Sequence, residues 1–162
     1  MTIQKVEINL YNKIRNQIEK LLCESVCINF PDFQEVNHYV HSRCNDLARF
    51  IEEETATVFI ASEQEKLAGW IWLRDIERMG KHRIHIAEIV VSENYKRKGV
   101  GSKLLKMAEK YAIDGGFDEM DLLVTASNKS AVAFYERASF VPERYQMCKN
   151  ICKPEYIPGN ES

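Results

Sequence analysis

The stretch Lys96-Arg97-Lys98-Gly99-Val100-Gly101-Ser102 has the makings of an anion cradle. It follows an apolar, strand-like run, Ile84 to Val91, and opens a helical one, Gly99 to Asp114. A strand that feeds a glycine-bearing turn into a helix start leaves backbone N–H groups without partners. The positive end of the helix macrodipole points the same way, so the expected ligand carries phosphate. Gly99 and Gly101 keep side chains from holding a phosphate off those amides.

Two common phosphate loops are excluded by spacing. A dinucleotide fingerprint needs a third glycine three residues after the second, but Gly101 is followed by Ser102, Lys103 and Leu104. A Walker loop needs Gly-Lys-Ser/Thr after a four-residue gap, and no such string occurs. What fits is Gln/Arg-x-x-Gly-x-Gly/Ala, with Lys96 in the first place. In this turn the sequence resembles the GNAT superfamily of N-acetyltransferases, whose turn holds the pyrophosphate of acetyl-CoA. Lys96 keeps the basic character of the family's Gln or Arg but not a bidentate geometry.

A second string, Asn128-Lys129-Ser130-Ala131-Val132-Ala133-Phe134-Tyr135-Glu136-Arg137-Ala138-Ser139-Phe140, resembles the family's Asn-x-x-Ala-x-x-x-Tyr-x-x-x-Gly-Phe element. Ser139 stands where glycine is usual, which predicts a helix exit less left-handed than in relatives. The two elements come in the family's order and cover roughly residues 84 to 150. The resemblance implies acetyl-CoA as co-substrate, no metal, and an amine acceptor. It places Ile89, Val90, Val91, Lys96, Arg97, Lys98, Gly99, Val100, Gly101, Ser102, Asn128 and Tyr135 against the cofactor.

Acyl transfer from a thioester to an amine asks for a neutral amine, a donor for the developing oxyanion, and a proton for the departing thiolate. Tyr135 resembles the tyrosine that relatives place near the cofactor sulfur, where a phenol serves as general acid. For the base, Glu88 comes first, because it interrupts an otherwise apolar run where a carboxylate loses hydration and its pKa rises. A strand-end carboxylate paired with Arg83 or a lysine is the plain alternative. His85 is the second candidate, since imidazole as a class titrates near neutral pH. Strict two-residue alternation puts it on the strand face opposite Glu88. A water chain without a dedicated base is a third option.

These residues need a scaffold, and hydrophobic periodicity sketches one. Ile3 to Leu10 alternates as a first strand, and Asn12 to Cys27 and Phe33 to Glu53 carry helical stripes. Thr57 to Ala61 and Leu67 to Arg74 form a hairpin across Glu63-Gln64-Glu65-Lys66. The polar segment Asp75 to His82 reads as a connecting loop to the strand Arg83 to Val91. The helix from Gly99 ends at Gly115-Gly116; Met120 to Thr125 is a strand, and Ser127 or Asn128 caps the next helix. A last strand is expected from Tyr145 to Lys149, and the tail Pro154 to Ser162 as mobile chain. The expected fold is α/β in the α+β sense: a mixed, mostly antiparallel central sheet flanked by helices, with a splayed parallel pair. The resemblance places the pantetheine arm of acetyl-CoA in that gap, bonded to the strand edge at Ile89 to Val91.

Composition sets outer bounds. A length of 162 residues fits one domain, read as 1–153. With 22 basic against 24 acidic residues the net charge is −2, so no global field draws the chain to nucleic acid or anionic membrane. No apolar run approaches a membrane span, and Met1 to Leu10 lacks a secretory pattern. Five cysteines, an odd number, suggest reduced thiols in the cytoplasm. Cys23 with Cys27, and Cys148 with Cys152, lack zinc-ribbon spacing and read as packing residues. Trp70 and Trp72 share a strand face, as core or as cover for an acceptor. Lys103 and Lys106 can reach the terminal CoA phosphate or simply face solvent. The acceptor is expected between the N-terminal helices and residues 75–82, and its identity is not encoded in any pattern. A homodimer is compatible with the reading. The rival function is a non-catalytic acetyl-CoA-binding module that senses cofactor or mediates assembly.

Overall fold

The computed structural model describes residues 1–149 and 151. The elements run β1 (Thr2–Lys5), α1 (Ile8–Asn29), α2 (Val36–Glu52), β2 (Ala56–Glu63), β3 (Lys66–Arg78) and β4 (Lys81–Val91). A 3-10 turn (Glu93–Tyr95) follows, then α3 (Val100–Asp114), β5 (Glu119–Leu122) and α4 (Lys129–Arg137). The sheet order is β1-β2-β3-β4-β5, antiparallel except for the parallel β4–β5 pair. The expected mixed α+β fold is present. The bounds of the proposed domain at residue 153, and the tail beyond it, lie outside the described residues.

The sheet is buried on both faces because its strands carry apolar side chains on both sides. Val58, Ile60, Trp70, Trp72 and Val90 pack against the α1–α2 pair. Ile71, Leu73, Ile84 and Ile86 pack against Val100, Leu104, Leu105 and Ala108 of α3. Burying a large apolar side chain contributes about 1.5–3 kcal/mol, so these two layers fix where β4 sits. Trp70 and Trp72 do share a face, but both are fully buried. They are core residues, not a cover for substrate.

Four expectations need correction. The first strand stops at Lys5, and helical structure starts at Ile8, where the apolar spacing becomes helical. The segment 75–82 is no loop: β3 and β4 run on to Arg78 and Lys81, joined by Met79 and Gly80 alone. Both turn residues have positive φ (53° and 71°), the tight-hairpin geometry that matches strand twist. Ion pairs Arg78–Asp121 and Lys81–Glu119 explain why so polar a stretch holds as sheet. Third, β5 ends at Leu122, leaving Leu123 and Val124 exposed.

The fourth correction concerns the expected strand Tyr145–Lys149, which does not form: 141–149 has no regular structure. Its alternation finds no apolar face to bury, since Val141, Tyr145 and Met147 are all exposed. What anchors the segment is polar, a two-pronged pair between Arg83 and Glu143 at 2.8 and 2.9 Å. Among the described residues no helix is long and apolar enough to cross a membrane.

Candidate active site

The parallel pairing of β4 with β5 covers only Arg83↔Glu119 to Ile86↔Leu122. Beyond Ile86 the strands part, and β4 from Ala87 to Val91 has no neighbour on that edge among the described residues. Ser92 N–H turns to Ala68 O of β3 at 2.9 Å. By alternation the backbone groups of Ile89 and Val91 face the open edge and those of Val90 face β3. Of the three expected contacts, the two outer ones present backbone to the cleft.

The cradle follows directly. Arg97 and Gly99 both take left-handed backbone, at φ 58° and 77°. Glycine relieves that cost at position 99, where an added Cβ would meet nothing but open space. The first intrahelical bond is Lys103 N–H to Gly99 O at 3.0 Å, so the N–H groups of Val100, Gly101 and Ser102 open the helix unpaired within it. No side chain caps this end. The N–H groups of Lys96 and Lys98 are used within the turn, on Glu93 O and Tyr95 O. Their side chains are also engaged, Lys96 with Glu93 at 2.6 Å and Lys98 over the Tyr95 ring. Gly101 has a packing task besides the one expected. A Cβ there would lie 3.3 Å from Phe134 Cζ and 3.6 Å from Val91 Cγ2, so glycine lets α4 close on α3. An uncapped helix start with an open left-handed glycine fits a pyrophosphate. Lys103 and Lys106 are exposed.

Asn128 caps α4, its Oδ1 accepting from Ala131 N–H at 3.1 Å. Its Nδ2 donates to Asn29 Oδ1 at 2.9 Å, tying α4 to the end of α1. Nothing local in the sequence marks Asn29 for this role. Ser139 takes φ 67°, so the helix exit is left-handed after all, contrary to expectation. Ser139 N–H and Phe140 N–H close on Glu136 O and Tyr135 O, both at 3.0 Å, and these bonds hold the serine there. Phe140 packs edge-on against Tyr135 at 5.8 Å.

Glu88 keeps 21% of its side chain exposed, and the burial of the rest raises its carboxyl above the ordinary range even though Arg43 opposes the shift. Its partner is Arg43 of α2 at 3.5 Å, not Arg83 or a lysine. Arg43 stacks over Trp72 at 4.3 Å. Burial and then the charge of Glu88 push the Tyr135 phenol up to about 12, so it stays protonated across the physiological range. The register places Trp72 opposite Glu88 but Leu73 opposite Ile86, so Ala87 is an extra residue, a β-bulge. That bulge reverses the alternation. His85 (opposite Arg74) and Glu88 (opposite Trp72) share the α1–α2 face, and the expected opposition of the two is wrong.

The description "Acetyltransferase (GNAT) family" matches residues 21–140, most of the chain. The chain belongs to the GNAT acetyltransferase family. Family members use acetyl-CoA as co-substrate. This GNAT chain is 33% identical over 96 residues to N-alpha-acetyltransferase 30 of Xenopus laevis, covering 59% of the chain and 35% of that protein. It is 35% identical over 96 residues to mycothiol acetyltransferase of Corynebacterium efficiens, covering 57% and 30%. The chain thus spans about a third of the length of these relatives. In fold it is similar to a GCN5-related N-acetyltransferase from Ralstonia eutropha (TM-score 0.77, 16% identity, 93% and 97% covered). An aminoglycoside acetyltransferase from an uncultured soil sample is also similar (TM-score 0.71, 21% identity, 94% and 96% covered).

Proposed function

We propose that this chain is a cytoplasmic enzyme that moves acetyl from acetyl-CoA to a primary amine of a small molecule, peptide or protein. One observation carries the reading. Where β4 loses its neighbour it carries a carboxylate, Glu88, set in the α1–α2 face and held by Arg43 at 3.5 Å, and after burial the charge of Glu88 adds to the rise of the Tyr135 phenol's pKa. A module that only bound the cofactor would have no use for a desolvated carboxylate at that point of the strand.

Acetyl-CoA supplies the activated acyl group and the thiolate leaving group. Val100, Gly101 and Ser102 would hold its pyrophosphate, and Ile89 and Val91 its pantetheine amides. Glu88 takes a proton from the acceptor nitrogen, directly or across one water. Tyr135 keeps its proton until negative charge develops on the sulfur. Arg43 holds the Glu88 side chain and tempers its pKa. Screening a broad amine panel for free-thiol release tests the reading. Amine-dependent release is the expected result; saturable acetyl-CoA binding without release for any amine would favour the sensor instead.

A further inference from the structure

The bulge at Ala87 gives the site two proton acceptors on one face. His85 pairs with Asp121 one position before the last parallel pair, Ile86↔Leu122, beyond which β4 and β5 part. Its ring is held in place. Nδ1 lies 2.6 Å from Oδ1 of Asp121, its register partner on β5. The other oxygen, Oδ2, accepts from Arg78 at 3.1 Å and Arg83 at 3.4 Å. With Oδ2 so engaged, Oδ1 is left for the imidazole. A carboxylate only accepts, so the hydrogen belongs to Nδ1 and the lone pair of the neutral ring to Nε2.

We propose that His85 accepts the proton that this reaction releases to solvent, and that Asp121 is a positioning residue that fixes its Nδ1–H tautomer. The inference rests on the acetyl-transfer reading. An acceptor that arrives as an ammonium ion has three N–H bonds, and the amide product has one. Two protons therefore leave the nitrogen as the C–N bond forms and the C–S bond breaks. One ends on the CoA sulfur and the other in water. Glu88 takes the other proton from the nitrogen, and that proton, relayed through water, restores the one Tyr135 gives to sulfur. His85 keeps 20% of its side chain exposed and passes its proton from Nε2 to water. A single carboxylate would have to clear one proton before taking the other; two acceptors need not wait.

Ring nitrogen resonances of the full chain, labelled with nitrogen-15 at histidine and read without ligand, test the positioning. The expected result is a protonated Nδ1 and a pyridine-like Nε2 for His85, lost or mixed in Asp121→Asn. A wild-type ring protonated on Nε2 would overturn the proposal. Turnover is read with acetyl-CoA and the amine panel. His85→Gln should lose about 10²-fold near pH 7 and regain it as the amine deprotonates by itself. Asp121→Asn should lose roughly tenfold with unchanged acetyl-CoA affinity, and Asp121→Glu should recover part of it. The charged groups around His85 are Arg43 of α2, Arg74 and Arg78 of β3, Glu119 and Asp121 of β5, Arg83 and Glu88 of β4, and Glu143. All but Asp121 are unchanged in these variants. A His85→Gln profile parallel to wild type would refute the role of His85. A wild type inactive with every amine defeats the acetyl-transfer reading, and with it this role, whatever the tautomer.

Discussion

Arg43 and Glu88 form an ion pair across α2 and β4, with the guanidinium 3.5 Å from the carboxylate and stacked on Trp72. Two opposing effects meet in it. Burial lifts the Glu88 pKa and Arg43 lowers it, and burial wins. A raised folded-state pKa means that ionising Glu88 works against folding. Its favourable contribution is present below the unfolded carboxylate pKa and is lost as pH rises through the folded value. Arg43 limits that loss.

Arg43→Gln should therefore raise the Glu88 pKa further and move the acid limb of kcat/KM to higher pH. Glu88→Gln should lower turnover most at neutral pH and be partly rescued at high pH, where the amine is already neutral. Profiles of both variants parallel to wild type would remove Glu88 from the mechanism.

The two glycines of the cradle should fail differently. Gly99→Ala meets no atom but takes a left-handed backbone, a cost of about 1–2 kcal/mol. Gly101→Gln presses on Phe134 and so disturbs the α3–α4 contact as well as the ligand site, at about 1–3 kcal/mol. Chemical denaturation with and without acetyl-CoA separates the effects. Both variants should lose the ligand-dependent gain; a normal gain in Gly101→Gln would place the cradle elsewhere.

Acetyl-CoA should stabilise wild type by about 2.7 kcal/mol at a hundred times its dissociation constant. Desulfo-CoA should do nearly as well, because the proposed contacts are to phosphates and amides. Melting curves indifferent to both would contradict the cofactor assignment.

Thiol reactivity should follow exposure. Cys27 and Cys148 are exposed, whereas Cys44 is buried, its thiol pushed up to about 11 mainly by burial. In native protein a thiol reagent should reach the first two quickly and leave Cys44 untouched. After denaturation without reductant, all five cysteines of the sequence should titrate. A native-state Cys44 reacting at the rate of Cys27 would show that the α1–α2 layer opens readily.

Signals written within one element were legible in the sequence: the cradle turn, the Asn128 cap, and the stripe of Val100, Leu104 and Ala108. The site's pairwise partners were not, because Arg43, Asn29 and Asp121 meet Glu88, Asn128 and His85 only after distant elements pack. The bulge at Ala87 carries no glycine or proline to announce it, yet one extra residue reverses every face assignment across it. Charged residues at Arg78 and Lys81 read as a loop because their stabilising partners, Asp121 and Glu119, lie on another strand. At Tyr145 to Lys149 the alternation was real, but Tyr145 and Met147 stay exposed, and the segment is anchored through Glu143 on Arg83 instead.

Tyr135 and its surroundings should transfer acetyl rather than merely hold its carrier. Single-turnover mixing of enzyme, acetyl-CoA and an accepted amine, with thiol and acetylated amine both quantified, tests it most directly. The phenylalanine variant keeps the ring against Phe134 and Phe140 and removes only the phenolic proton. Wild type should release one thiol for each amide formed, and Tyr135→Phe should be slower by about 10²–10⁴ with unchanged acetyl-CoA affinity. Tyr135→Phe at the wild-type rate, or thiol released without an acetylated amine, would contradict the account.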